Sequence, residues 1–291
     1  MRPDRTVRDA GNGGKDAYGM DMLISLLVPT LGDRKEELSR LLDSLVRQTC
    51  RDFEVLVISQ DHFREVSELL AGYEGRLTLR HIRSERKGLS LARNLGLEAA
   101  RGDVMVLSDD DCWYPDDAVE TVAAAFRACP QMDVLATRIY DPLSDSLYKA
   151  YEKAGRQLTR KTDVLSRSSI ELAFRREGCL RFDELFGLGA TYVSGEENDF
   201  LVRCLKAKKT VFYQPVTTVY HARKTGRESP AQLVAKGAFY AKNFGFVISN
   251  LVLLRDLLKK RQNHYRLFWK GYRDYRRRSR ANTGKGETRC I

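Results

Sequence analysis

Short apolar runs and longer amphipathic stretches alternate along the first half of this chain. Residues 22–29 form a largely apolar run, and residues 53–58 form a second one. Apolar strands that are joined by helices of this length are parallel and are covered on both faces of their sheet. The pattern predicts an α/β fold with a mainly parallel, Rossmann-like sheet flanked by helices. Further strands are predicted at 77–82, 104–107 and 134–139, and helices at 63–73, 89–100 and 116–128.

Three consecutive aspartates, Asp109, Asp110 and Asp111, follow the strand predicted at 104–107. Carboxylates this close repel one another in a low-dielectric cleft, and a divalent cation relieves the repulsion because hard oxygen ligands suit Mg²⁺ and Mn²⁺. In open α/β sheets, ligands bind beyond the carboxyl ends of the strands, which is where this cluster falls. The alternative is an acidic turn whose aspartate caps the following helix. We predict a metal-dependent, phosphate-handling enzyme.

The two ends of the chain differ in composition from the region between them. Residues 1–21 are rich in Gly, Asp and Arg and have no apolar core, so we predict a disordered leader and not a signal peptide. Residues 22–228 are expected to form the enzyme domain, and residues 229–291 a helical, basic extension. Six cysteines without a CxxC pair, and no apolar stretch of bilayer-spanning length, indicate a cytoplasmic protein.

The C-terminal extension carries most of the excess positive charge. The net charge is +11, and residues 255–280 contain eleven Lys or Arg against two Asp. Basic residues interleaved with aromatic ones are typical of segments that bind an anionic bilayer, so we predict peripheral association with the cytoplasmic face of a membrane. The stretch 246–258 is predicted to dock on the body or to lie at the interface. The alternatives are a solvated helix whose aromatic residues pack onto the body, and nucleic-acid binding, which we do not expect. The aromatic residues are Tyr265, Phe268, Trp269, Tyr272 and Tyr275.

Several motifs, in their order along the chain, resemble those of family 2 glycosyltransferases. The similarity extends from about Leu23 to His221. It implies a GT-A fold and the transfer of a sugar from a nucleotide-diphosphate donor, with inversion, to a hydroxyl group of a glycan or lipid-linked acceptor. The similar segments are Val28-Pro29-Thr30, the stretch 88–96 (GLSLARNLG), Asp109-Asp110-Asp111, the stretches 187–190 (GLGA) and 194–200 (SGEENDF), and Val219-Tyr220-His221.

The aspartate triplet resembles the DXD-type metal site of that family. We expect it to bind Mn²⁺ or Mg²⁺, with Asp111 as the principal ligand and Asp109 contacting either the metal or the donor ribose. The register of the pair stays open, because either flanking aspartate can act together with Asp110. His221, at the end of an apolar strand, is expected to ligate the metal or to contact a phosphate. A structural histidine is the alternative.

The donor is expected to lie against the start of the helix that Gly88 precedes. Glycine permits close backbone approach and a helix N-terminus favours an anion. Arg93 offers a guanidinium to phosphate oxygens, although Arg93 and Asn94 are otherwise interpreted as surface helix residues. The family usually reads the nucleotide base with an aspartate after its second strand, where this chain has Ser59. Either Asp61 substitutes for that aspartate or base recognition is weaker. UDP is the first expectation, with dTDP and GDP open. The predicted donor-binding residues are Pro29, Thr30, Asp61, Gly88, Arg93, Asp109 and Asp110.

Glu196 and Glu197 fall in the first turn of a predicted helix. Carboxylates there stabilise a helix by about 0.3–1 kcal/mol through its macrodipole, which is the structural alternative to catalysis. The family places an aspartate at the second position, and we predict Glu197 as the base that deprotonates the acceptor hydroxyl. Glu196 and Asp199 are the other candidates, and Asp199 is expected to orient neighbouring backbone. On the acceptor side, Trp113 and Tyr114 are candidates for stacking on a sugar, with burial in the core as the alternative.

Two other classes of protein remain as alternatives. A sugar-1-phosphate nucleotidyltransferase would need a Gly-rich, basic loop directly after the first strand, and residues 29–35 contain one glycine. A non-catalytic sugar-nucleotide or membrane-binding protein on the same fold is consistent with Ser59 but not with the retained acidic residues. We therefore expect a glycosyltransferase that acts in cell-surface polysaccharide or glycan assembly.

Overall fold

The computed structural model describes residues 22–223, 228–258 and 264–283. Within these ranges the chain folds around one sheet of nine strands. The leader predicted at 1–21 and part of the basic segment, residues 259–263, lie outside the described residues.

Four parallel strands form the first half of the sheet. They lie in the order β3-β2-β1-β4, and every residue of β1 and β2 is buried. The parallel βαβ arrangement predicted for this half is confirmed. The strands are β1 (Ile24–Thr30), β2 (Phe53–Ser59), β3 (Leu79–Arg83) and β4 (Val104–Leu107).

Helices cover both faces of these strands. Successive residues of a strand point to opposite faces of the sheet, so a strand that is apolar throughout contributes to a core on each face. Leu26 and Val28 pack into one hydrophobic core, and Leu27 packs into the other on the opposite face. The helices of the first core are α1 (Lys35–Val46), α2 (Phe63–Ala71) and α4 (Ala118–Ala128), and the second core includes α3 (Leu89–Ala99).

The second half of the sheet mixes both strand directions. β8 lies between β4 and β5 and is antiparallel to both, whereas β9 is parallel to β5. The parallel part of the sheet therefore ends at β4. The strand that pairs with the other edge of β4 is β8, which is short and antiparallel, and a parallel strand there would need a crossover connection. The strands are β5 (Val134–Asp141), β6 (Ser146–Leu147), β7 (Arg156–Leu158), β8 (Leu172–Arg175) and β9 (Val211–Tyr220).

The C-terminal helices pack onto the same face as α3. Ser229 begins the first of them with a capping box, in which its hydroxyl accepts from the backbone N–H of Gln232. Two of these helices approach closely at glycines: a Cβ on Gly237 would lie 1.9 Å from the carbonyl oxygen of Phe268. The extension is therefore tightly joined to the body. The helices of the extension are α6 (Pro230–Asn243), α7 (Phe246–Leu258) and α8 (His264–Thr283), and α5 (Glu196–Lys206) precedes β9.

The aromatic residues of α8 mostly face the protein. Phe268 and Tyr272 are buried, and Trp269 and Tyr275 are partly buried against the same core. Tyr265 is about half exposed. Aromatic packing onto the body, the alternative raised from the sequence, thus describes most of this helix. Among the described helices, none is long and apolar enough to cross a bilayer.

Candidate active site

A cleft of about 210 Å³ opens at the carboxyl ends of β1 and β4. The structure brings most of the predicted donor-binding residues to this one cleft. Residues that sequence reasoning missed, notably Arg34 and Gln60, line it as well. The predicted residues in the lining are Pro29, Thr30, Gly88, Asp109, Asp110 and Asp111.

Asp110 ties the end of β4 to the end of β1. Its carboxylate accepts a hydrogen bond from the Thr30 hydroxyl at 2.7 Å and one from Arg34 at 3.1 Å. Burial raises the pKa of Asp110, against the opposing effects of Thr30 and Arg34. Since its oxygens are committed to these partners, Asp110 holds the floor of the cleft together.

Asp111 lies between a cation and a histidine. One oxygen accepts from Arg34 at 2.8 Å, and the other is 3.1 Å from Nε2 of His221. Nδ1 of His221 lies 2.6 Å from the carbonyl oxygen of Ala222 and must carry the hydrogen, because a carbonyl oxygen only accepts. In the neutral ring, the Nε2 lone pair then faces the Asp111 carboxylate.

This oxygen and nitrogen pair fits a divalent cation. Nε2 of His221 and Oδ1 of Asp111 are 3.1 Å apart, and imidazole nitrogen and carboxylate oxygen are both groups that ligate divalent cations. Among residues 22–223, 228–258 and 264–283, no three His, Cys, Asp or Glu side chains form a complete metal cluster. A two-ligand site suits an ion that also takes water and phosphate oxygens as ligands. The donor atoms of Asp111 and His221 are compatible with the predicted metal, although Asp111, like Asp109, also accepts a hydrogen bond from an arginine.

Arg93 is buried between the two acidic motifs. Its side chain is fully buried; one terminal nitrogen donates to Asp109 and the other to Glu196, each at 3.2 Å. Asn94 is also buried, and it exchanges hydrogen bonds with the backbone of Phe182. The interpretation of Arg93 and Asn94 as surface residues is wrong. Arg93 does not line the cleft. We therefore expect it to position Asp109 and Glu196, and not to contact donor phosphate as predicted.

A loop with two glycines, residues 187–189, contacts the N-terminal end of α3. The backbone N–H of Leu89 donates to the carbonyl of Leu188 at 2.8 Å. Gly189 has a φ of +77°, and a Cβ there would lie 3.3 Å from the Gly88 backbone. The Gly187–Gly189 segment therefore lies directly against the helix start that was predicted to face the donor.

The end of β2 departs from the predicted base-reading arrangement. Ser59 is buried and its hydroxyl lies 2.6 Å from Nε2 of His81. Asp61 does not line the cleft, and hydrogen bonding from Lys87 lowers its pKa. Gln60 lines the cleft, and its side-chain oxygen accepts from the Gly88 N–H. Of residues 59–61 at the end of β2, Gln60, which no motif marked, is thus the one that lines the cleft.

A second cavity, of about 520 Å³, contains Glu197. Its walls come from residues 162–166, residues 194–198 and residues 228–240, so α6 of the extension forms one side. Burial, and then the adjacent Glu196 carboxylate, raise the pKa of Glu197 to about 8. Glu196 accepts from Arg93, which leaves Glu197 as the carboxyl group of this pair that faces the cavity.

Asp199 connects α5 to the end of α6. It is fully buried, and its carboxylate accepts from Arg203, Lys242 and Asn243, each at 2.8 Å. Burial alone would raise its pKa, but Lys242 and Arg203 hold the pKa below its usual value. Asp199 lies outside the cavity lining, and its described partners are side chains of α5 and α6 and not the backbone that it was expected to orient.

Trp113 lies outside the linings of both the donor cleft and the Glu197 cavity. The guanidinium of Arg40 sits 4.0 Å from its ring centroid, and Tyr220 packs beside it. Tyr114 is buried in the core, as its structural alternative proposed. The predicted stacking of Trp113 on a sugar therefore finds no support in its position.

The donor cleft and the Glu197 cavity, linked through Arg93, are compatible with a group-transfer enzyme. Comparison with known proteins specifies the group. The family model "Glycosyl transferase family 2" matches residues 25–182, more than half of the chain. The chain belongs to this family, and the protein is a glycosyltransferase with a GT-A fold. The nucleotidyltransferase and non-catalytic hypotheses are not supported.

Individual relatives agree with this assignment. An uncharacterized glycosyltransferase of Haemophilus influenzae is 26% identical over 235 residues, 76% of each chain. The glucosyl-dolichyl phosphate glucuronosyltransferase of Haloferax volcanii is 26% identical over 113 residues, 38% of this chain and 36% of that protein. The crystal structure of Staphylococcus aureus TarS 1–349 superposes with a TM-score of 0.62 at 17% identity. That alignment covers 76% of this chain and 65% of the TarS chain, so this chain spans less than two thirds of it.

Proposed function

We propose that this protein transfers a sugar from a UDP-sugar to a hydroxyl group of a glycan or lipid-linked acceptor, with inversion and with a divalent metal. The observation that carries the proposal is the buried guanidinium of Arg93. It contacts Asp109 in the donor cleft and Glu196 beside the Glu197 cavity, each at 3.2 Å. One rigid side chain therefore holds a donor site and a candidate base in fixed relation, as transfer between two substrates requires.

The donor cleft suits a nucleoside diphosphate. Arg34 and Lys87 line it together with the strand-end aspartates, so cations are available for phosphate oxygens. TarS, which shares the fold, has been crystallised in complexes with UDP and with UDP-GlcNAc. These observations support UDP as the nucleotide, and the donor sugar is left unassigned.

The acceptor hydroxyl needs a base, and Glu197 is proposed for that role. Its raised pKa makes its carboxylate a stronger proton acceptor than an ordinary glutamate. A hydroxyl deprotonated in the Glu197 cavity would attack the anomeric carbon from the side opposite the diphosphate. Such a single displacement inverts the configuration at that carbon.

Asp111 and His221 are proposed to hold the metal, together with oxygens of the donor. A divalent cation would neutralise the charge that develops on the leaving diphosphate. Arg34 contacts Asp110 and Asp111 and is proposed to add a second positive charge on the same side of the donor.

The Glu197 cavity combines polar groups with aromatic rings. Ser166, Asn198 and Gln232 offer hydrogen-bond donors and acceptors, and Phe239 and Tyr240 offer ring surfaces. This mixture suits a sugar, whose faces are partly apolar and whose hydroxyls need partners. The Haloferax relative is named for a glucosyl-dolichyl phosphate substrate, which supports a lipid-linked acceptor as one option.

Release of nucleoside diphosphate from a panel of UDP-, dTDP- and GDP-sugars tests the proposal. Each donor is incubated with a mixture of glycan and lipid-linked acceptors and with Mn²⁺, Mg²⁺ or EDTA. We expect metal-dependent release from a UDP-sugar that is lost in Asp111→Ala and kept in Asp116→Ala, an exposed carboxylate paired with Arg47 outside the cleft. Full activity in EDTA, or in Asp111→Ala, would contradict the metal assignment.

A further inference from the structure

One face of α7 exposes a row of large apolar side chains. Five of them are between 46% and 69% exposed in the described part of the chain. The opposite face packs against the body, where Ser249 and Leu253 are buried. A helix on the surface of a soluble protein normally presents polar residues to water, so a contiguous apolar row of this kind marks an interaction surface. The exposed residues are Phe246, Val247, Ile248, Leu251 and Leu254.

This apolar row adjoins a strongly basic helix. The ring of Phe246 packs against Trp269 of α8, with 5.6 Å between their centroids. Tyr265, half exposed, extends the apolar row along α8 beside the same tryptophan. Asp274, an acidic residue of α8, is already paired with Arg278 and Tyr192. The exposed basic residues of α8 include Arg266, Lys270, Arg273, Arg276 and Arg277.

We propose that α7 and α8 together form a docking surface for an anionic lipid bilayer. The apolar side chains of α7 enter the boundary between head groups and acyl chains, and the basic side chains of α8 contact lipid phosphates. The inserting element is thus the α7 face and not the aromatic residues of α8, most of which pack onto the body.

Charge favours a bilayer over a second copy of the chain as the occupant. In a dimer built on α7, two chains of net charge +11, each with the basic helix α8 in contact with α7, would face one another and repel. An anionic membrane is complementary to the same row, and each basic residue near such a surface adds to the affinity.

The docking surface lies close to the Glu197 cavity. Lys161 precedes the cavity residue Thr162, and its Nζ donates to the carbonyl of Asn243 at 3.1 Å. Asn243 ends α6, and α7 begins three residues later at Phe246. Docking through α7 would therefore bring the cavity near the membrane surface. The docking itself does not depend on transfer activity, so each proposal can fail without the other.

Flotation of the purified full chain with lipid vesicles tests this surface. The vesicles contain either phosphatidylcholine alone or phosphatidylcholine with phosphatidylglycerol. The variant is Leu251→Glu combined with Leu254→Glu, and the matched control is Leu143→Glu, a leucine that is 78% exposed in a turn far along the chain from α7. Circular dichroism melting checks that each variant is folded.

We expect wild type and Leu143→Glu to float with anionic vesicles, and the double variant to partition at least about tenfold less because it loses two buried leucines in the membrane. Arg276→Gln with Arg277→Gln should weaken binding to anionic vesicles only, and added salt should weaken binding of wild type. Equal flotation of the double variant and wild type would overturn the proposal. So would a wild-type dimer that the double variant converts to a monomer while flotation stays at background.

Discussion

The donor cleft and the Glu197 cavity are built in different ways. The floor of the cleft is formed by residues that follow the parallel strands β1 and β4, which the sheet brings together, and the start of α3 and the Gly187–Gly189 segment add to it. The cavity combines three segments distant in sequence, and the C-terminal helix α6 supplies one wall. The electrostatics differ as well. Asp109, Asp110 and Asp111 of the cleft each have an arginine partner, whereas Glu197 lies beside another carboxylate and has a raised pKa. The proposed donor-binding half therefore depends mainly on strand topology, and the proposed catalytic half depends on helix packing.

Arg93 links the two halves, and its removal should lower the free energy of unfolding more than the other substitutions proposed below. Arg93→Ala leaves the buried Glu196 and the partly buried Asp109 without their common cation, so we expect the free energy of unfolding to fall by about 3–5 kcal/mol. Urea denaturation followed by circular dichroism measures it. Arg47→Ala, which removes an exposed ion pair, is the control and should change stability by less than about 1 kcal/mol. Similar losses in both variants would mean that Arg93 does not join the two halves.

The packing of α6 against α8 should matter for the Glu197 cavity and not for the donor cleft. In Gly271→Ala, the new Cβ would lie 1.8 Å from the carbonyl oxygen of Val234. We expect a loss of about 1–3 kcal/mol in stability and a raised KM for the acceptor, with UDP affinity unchanged. Gly245→Ala, where a Cβ meets nothing within 4 Å, is the matched control. A change in UDP affinity without a change in acceptor KM would reverse the assignment of the two sites.

The pH dependence of transfer should report the Glu197 cavity. Because the pKa of Glu197 is raised to about 8, the group is mostly protonated at pH 6.5 and cannot accept a proton. We expect kcat/KM to rise about tenfold per pH unit below pH 8 and to level off above it. The folded state also binds this proton more tightly than the unfolded state, so the group's contribution to stability falls between about pH 4.5 and 8. A flat profile from pH 6 to 9 for chemistry-limited transfer would count against Glu197 as the base.

Smaller effects, on UDP affinity, should distinguish Arg34 from Asp61 as a contact of the donor. Arg34→Gln removes a cleft cation, and we expect the Kd for UDP to rise about tenfold by titration calorimetry. Asp61→Asn should change the Kd by less than about twofold, because Asp61 is outside the cleft lining. If Asp61→Asn weakened UDP binding more than Arg34→Gln, the base-reading role predicted from the sequence for Asp61 would be restored.

Positions that follow strands could be predicted from the sequence more easily than buried contacts between distant segments, for a physical reason. Asp109 to Asp111 directly follow a strand, so their place at the sheet edge depends only on local periodicity. Arg34 also follows a strand, and its position after β1 was a usable signal. The burial of Arg93 could not be predicted, because it depends on contacts with Glu196 a hundred residues away.

The fold shows the same division. The parallel strands up to β4 were predicted from apolar runs, whereas β8 is four residues long and gives no periodic signal. The α6 wall of the cavity depends on the close approach of α6 and α8, in which Gly237 and Gly271 act together. Such long-range helix packing is not marked by any local pattern.

The most direct test of the central claim is the effect of Glu197→Gln on catalysis and on donor binding, measured on the same protein sample. We expect kcat to fall by about 10²–10⁴-fold, while the calorimetric Kd for UDP stays within about twofold because Glu197 lies outside the donor cleft. An unchanged kcat, or a UDP affinity that falls together with kcat, would contradict the division of this protein into a donor-binding half and a catalytic half.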